Sequence, residues 1–150
     1  MPLSTYDQIP PTGGTYALLL WLPHPTLITV GSLGMVDFPS GSFVYVGSAC
    51  GPGGLRARIT RHLAGNGRPH WHIDHLRRHA SVVGVCYSTG KDVYECQWSQ
   101  ALADITDTRI CKPSFGSSDC NHGCTSHLIH FIAPLSLSQL RQHLSKRMSG

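Results

Sequence analysis

The chain is short of charge. Asp, Glu, Lys and Arg make up 13% of its 150 residues, against 41% hydrophobic residues. Disorder needs the opposite balance, so a folded protein is expected. No apolar run reaches membrane-spanning length, since Tyr16–Leu22 is far too short, and no membrane partner is expected. The opening Met-Pro-Leu-Ser-Thr-Tyr-Asp lacks the basic start and apolar stretch of a secretory signal, which points to the cytoplasm. There the six cysteines are expected as thiols or metal ligands rather than disulfides. No internal repeat and no shift in composition marks a domain boundary, and the length suits one domain with a real core. Acidic residues are fewer than basic ones, 8 against 12, so the net charge is +4 and the pI about 8.9. That mild excess suits an anionic partner such as nucleic acid.

The apolar pattern predicts the elements in outline. Residues 1–13, rich in Pro, Gly, Ser and Thr, read as a flexible leader, and 14–150 as a single domain. Gly14–Leu22 is continuously apolar, as a central strand should be. Thr26–Val30 and Met35–Phe38 read as an extra pair of short strands. Ser42–Ser48 is β-branched and aromatic, hence a further strand. A Gly/Pro loop follows, then a helix over 54–64 that stops at Gly65-Asn66-Gly67. His70–His79 reads as a helix with Ile73 and Leu76 inward. Ser81–Ser88 reads as a strand, and Val93–Ile105 as a helix with Cys96, Ala101 and Ile105 inward. Ser126–Ile132 is a strand or short helix, and Pro134–Met148 a C-terminal amphipathic helix. Strands early and helices late indicate an α+β fold with a small, mostly antiparallel sheet flanked by helices.

Chemistry gathers where the strand ending at Ser48 meets the helix at 54–64. On that helix Leu55, Ile59 and Leu63 form one apolar face. Arg58 and His62, also four apart, share a second face, and Arg58 is expected to be exposed. Tyr45 lies close by on the strand. A guanidinium suits phosphate oxygens, and a phenol or imidazole can move a proton, so the group reads as phosphate-handling.

Gly14-Thr15-Tyr16 and Tyr45-Val46-Gly47 resemble the two signature triplets of the GIY-YIG nuclease superfamily. Leu55–Leu63 resembles that family's following helix, with the family arginine at Arg58 and a histidine one turn later at His62. Glu95, in Val93-Tyr94-Glu95-Cys96, matches the family's metal-holding carboxylate. Pro69–Asp74 and Phe115–Cys120 resemble an uncharacterised bacterial and archaeal branch, some of whose members are attached to base-excision DNA glycosylases. The resemblance covers roughly residues 14–131. Each triplet alone is a weak signal; the ordered set of triplets, Arg58, His62 and Glu95 is a specific one. This chain departs from the pattern in a longer gap between the triplets, an added Gly-Pro-Gly-Gly, and no obvious C-terminal Asn.

The resemblance implies a metal-dependent endonuclease acting on DNA. Glu95 would hold Mg²⁺ or Mn²⁺, Arg58 would clamp the phosphate, and Tyr16 or Tyr45 would serve as base, its phenol acidified by Arg58 or the metal. His62 would relay the proton or bind phosphate. Gly47, Ser48, Arg56, Arg61, His70 and His72 are candidates for contacting nucleic acid, with Trp71 able to stack a base. Taken singly, these residues have ordinary explanations: strand tyrosines with satisfied hydroxyls, a solvated arginine face, a carboxylate at a helix start. A non-catalytic nucleic-acid-binding domain that keeps the fold is the alternative. A zinc-stabilised interaction module is another, because Cys120, Cys124 and His127 have a spacing that can bind Zn²⁺; it is not a usual finger spacing, and an unmetallated loop is the stronger expectation.

Overall fold

A computed structural model of the protein describes residues 8–65, 69, 71–90, 95–115 and 126–148. The fold is α+β. Strands β1 (Gly14–Leu22), β2 (Thr26–Thr29), β3 (Met35–Phe38) and β4 (Gly41–Ala49) come first, then helices α1 (Gly54–Ala64) and α2 (His72–Arg77). Strand β5 (Ser81–Thr89), helix α3 (Glu95–Ala103), strands β6 (Thr108–Arg109) and β7 (Leu128–Phe131), and helix α4 (Leu137–Met148) complete it. Five strands form one sheet in the order β5-β1-β4-β7-β6, all pairs antiparallel. The extra pair, β2 and β3, forms its own two-stranded sheet, as the sequence pattern predicts.

The continuous apolar run of β1 makes sense in the middle of this sheet. A strand there is covered on both faces, so its side chains alternate between two cores. Tyr16, Leu18, Leu20 and Leu22 enter the core shared with α1, α2, β2 and β3. Ala17 and Leu19 enter the one shared with α3 and α4, where Trp98, Leu102, Leu140 and Leu144 are buried. Trp98, not Cys96 or Ile105, is the chief anchor of α3, at 1% exposure. No helix among the described residues is long and apolar enough to cross a membrane.

Within the expected leader, Ile9, Pro10 and Thr12 are tied to the domain. The leader's residues 1–7 lie outside the described part, but Ile9 is buried in the first core. The reason is the start of α1. A helix leaves its first amides without intrahelical partners, and α1 has no side-chain cap. The leader supplies acceptors instead: Leu55 N–H donates to Thr12 O (2.8 Å) and Arg56 N–H to Pro10 O (3.1 Å). The Arg56 side chain adds a bond from Nε to Ile9 O (2.8 Å). This close approach needs Gly54, whose added Cβ would stand 2.3 Å from Thr12 O. We therefore expect Ile9→Ala to lower unfolding stability by about 2 kcal/mol, the low end for a buried isoleucine. Urea unfolding checks it; a change within error would return the segment to the status of a loose leader.

Candidate active site

The register of β1 against β4 builds the site. Tyr16 lies opposite Gly47 and Gly14 opposite Ala49, so the two triplets meet at one end of the sheet. Both tyrosines point to the α1 side, with ring centroids 6.5 Å apart. Gly47 has a specific reason to be glycine: an added Cβ would lie 2.6 Å from the Tyr16 hydroxyl. Bare backbone there lets the phenol cross its neighbouring strand.

Helix α1 closes the site from above. His62 is turned inward, 2% exposed, and its Nε2 is hydrogen-bonded to the Tyr16 hydroxyl at 2.7 Å. Its ring also meets that of Tyr45 edge-on at 6.1 Å. Arg58, one turn earlier, is half-buried at the rim rather than freely exposed as expected. It donates from one terminal nitrogen to Ser48 O (3.0 Å) and lies over the Trp71 ring. Arg61 forks onto Asp74 with two bonds of 3.1 Å. Arg56 lies apart and ties down the leader. His72 packs its ring against Phe115. His70 lies outside the described residues.

Electrostatics follows burial. Desolvation pushes the Tyr16 phenol well above its ordinary range, with Arg58 pulling the other way by charge and hydrogen bonding. Burial likewise raises Tyr45, with the charges of Tyr16 and Glu95 adding to the effect. This corrects the expectation of a phenol acidified by Arg58: the guanidinium acts in the expected direction, but loss of solvent outweighs it. His62 moves down to about 4 because burial disfavours the imidazolium, with Asp74 opposing and Arg58 adding to the shift. At neutral pH the site therefore holds two protonated phenols and one neutral imidazole.

Glu95 opens α3, partly exposed, and its charge reaches both phenols. Its Oε2 is 3.4 Å from Nδ1 of His127, which is almost fully buried. This pairing was not visible in sequence, where His127 counted with the cysteine loop. Cys120 and Cys124, the other two zinc candidates, lie outside the described residues, and no group of three metal-ligating side chains occurs among the described ones. Glu95 itself fits Mg²⁺ or Mn²⁺: it is a hard oxygen donor with access to solvent, and such ions keep several waters. Cys96 is disulfide-bonded, which corrects the expectation of thiols at that position; Cys50, Cys86 and Cys111 are free.

A family described as "Domain of unknown function DUF123" matches residues 15–149. The chain belongs to the DUF123 family. No curated protein and no solved structure matches it. The matched span takes in Tyr16, Tyr45, Arg58, His62 and Glu95, so the whole candidate site lies within the DUF123 domain.

The buried His62 gives a pH test. Its pKa is lower in the folded than in the unfolded chain, so the unfolded chain binds the extra proton between about 6.5 and about 4. Stability tied to His62 is present above pH 6.5 and is lost as pH falls through that window, by about 3 kcal/mol at most. We expect the melting temperature of the DUF123 domain to fall between pH 7 and pH 4, and His62→Gln to flatten part of that fall. Identical pH profiles for the two proteins would show that His62 is not held neutral.

Proposed function

We propose that the protein is a metal-dependent endonuclease of the GIY-YIG type, hydrolysing phosphodiester bonds in DNA. The observation that carries this is the convergence of Tyr16, Tyr45, His62 and Arg58 on one end of the sheet, with the charge of Glu95 within reach. Order in the sequence alone does not require that meeting.

Phosphodiester hydrolysis needs a deprotonated water, neutralisation of the phosphoryl oxygens, and help for the leaving oxygen. Arg58 sits at the rim, half-exposed, and presents its guanidinium to non-bridging oxygens. A protonated phenol is a poor base alone, yet Tyr16 need not begin as phenolate. Its oxygen accepts the proton of the attacking water while its own proton passes to the neutral His62 Nε2, 2.7 Å away. This assigns the proton path to Tyr16 and leaves Tyr45 to orient the water or phosphate. Glu95 would hold Mg²⁺ or Mn²⁺, which when bound would supply charge neutralisation to the phosphoryl and leaving oxygens. Nucleic acid, DNA in the first place, is the substrate class this reading selects.

The test is cleavage of labelled single-stranded, duplex and branched DNA in Mg²⁺ or Mn²⁺. We expect Arg58→Ala and Glu95→Ala to lose ~100-fold or more in rate with binding largely kept, as loss of one electrostatic partner to the transition state commonly does. His62→Gln should slow cleavage too. Arg56→Ala, which removes a bond to Ile9 O of the leader and leaves the tyrosine pair untouched, should cut at close to the normal rate. Binding without cleavage under every condition would favour the non-catalytic nucleic-acid-binding domain. Neither binding nor cleavage would set both aside.

A further inference from the structure

The sequence suggests that Trp71 stacks a nucleobase. The structure gives its ring another occupation. The Arg58 guanidinium carbon lies 4.3 Å from the Trp71 ring centroid and that of Arg61 lies 4.2 Å from it. Two like charges three residues apart on one helix would repel, and both approach the same indole, whose electron-rich face attracts cations. One carboxylate locks this arrangement. Asp74 accepts both Arg61 terminal nitrogens at 3.1 Å and also accepts the backbone N–H of Trp71 at 2.9 Å. A single side chain on α2 therefore ties α1 to the residue that precedes α2.

The charges divide unequally. Arg61 has its carboxylate in Asp74, whereas Arg58 enters no ion pair among the described residues. Two guanidiniums and one carboxylate leave one positive charge, and it sits on Arg58. What holds Arg58 in direction is its hydrogen bond to Ser48 O, its interaction with the Tyr16 hydroxyl, and the indole.

Resting on the nuclease reading above, we propose that Trp71 is the positioning residue of the phosphate clamp. Its indole, fixed by Asp74 and Arg61, sets the Arg58 guanidinium toward the tyrosine pair, and Arg61 is a strut of this device rather than a second phosphate ligand. The free energy of ordering a long, flexible side chain is then met in the folded protein and not on binding substrate.

The test uses the full chain and reads Arg58 directly. Nuclear magnetic resonance of the arginine Nε–H groups reports ring-current shifts from the indole, with inorganic phosphate as the titrated probe. Trp71→Leu, Trp71→Phe and Asp74→Asn are compared with the parent protein. We expect Trp71→Leu to collapse the dispersion of the Arg58 and Arg61 signals and to weaken phosphate binding at Arg58 by about fivefold. Trp71→Phe should recover most of both. Asp74→Asn, which keeps the indole, should disturb Arg61 first and Arg58 less. Arg61→Gln should weaken phosphate binding clearly less than Arg58→Gln does, since Arg61 acts only through the indole and is not a ligand in this scheme. In the cleavage assay Trp71→Leu should lower kcat about tenfold at little changed KM, because a misdirected guanidinium fails mainly in the transition state. Arg58 signals that are the same in Trp71→Leu and the parent would overturn the proposal, whether or not the protein cuts DNA. So would a loss of phosphate binding in Arg61→Gln as large as that in Arg58→Gln. An absence of cleavage in the parent protein with the signal changes intact would overturn the nuclease reading and leave the clamp standing.

Discussion

The pairing of β1 with β4 is the constraint on which the site depends. Its register sets Tyr16 opposite Gly47 and Tyr45 opposite Leu18, so both phenols fall on one face at one end of the sheet. Side chains alternate along a strand with a period of two, so a slip of one residue would send Tyr16 to the α3 face. The register is held by burial on both sides: the alternate residues Ala17, Leu19, Val44 and Val46 fill the second core and have no place in the first. Gly47 then lets the Tyr16 phenol lie across the neighbouring backbone, within reach of His62. Hydrophobic burial on one face of the sheet thus fixes polar geometry on the other.

The same burial decides protonation. A phenol and an imidazole taken out of water both favour their neutral forms, which for tyrosine means a raised pKa and for histidine a lowered one. The pair therefore rests as two neutral groups along a short hydrogen bond and is poorly suited to holding a standing charge. The standing charges sit at the rim instead, on Arg58 and Glu95, which keep some contact with solvent. In the proposed reaction, this separates the proton path inside from charge neutralisation outside.

The two segments that frame α1 carry out work their composition does not advertise. The leader reads as loose because Pro, Gly and Thr dominate it. Yet its carbonyls satisfy the first amides of a helix that has no side-chain cap, and Ile9 fills the core beneath. The segment from Trp71 to Asp74 reads as the start of a helix flanked by histidines. In the fold it is the brace of the arginine face. Each role depends on backbone groups or on aromatic faces, which have no periodicity in sequence and come into use only when a distant element arrives.

What the sequence determined by itself was whatever short-range patterning controls. Runs of β-branched and aromatic residues placed β1, β4 and β5 to within a residue or so, and Gly65 ended α1 where a left-handed backbone was needed. The extra strands β2 and β3 followed from alternation between turns. The candidate residues Tyr16, Tyr45, Arg58, His62 and Glu95 were chosen from ordered motifs, and the DUF123 match spans them all. Only the tertiary structure decided what these side chains do to one another. The Tyr16–His62 bond joins residues 46 apart, the Arg61–Asp74 fork residues 13 apart, and His127 meets Glu95 across 32 positions of chain. Desolvation, which reverses the expected shift of the phenols, is a property of packing from all sides and is written in no single stretch of the chain.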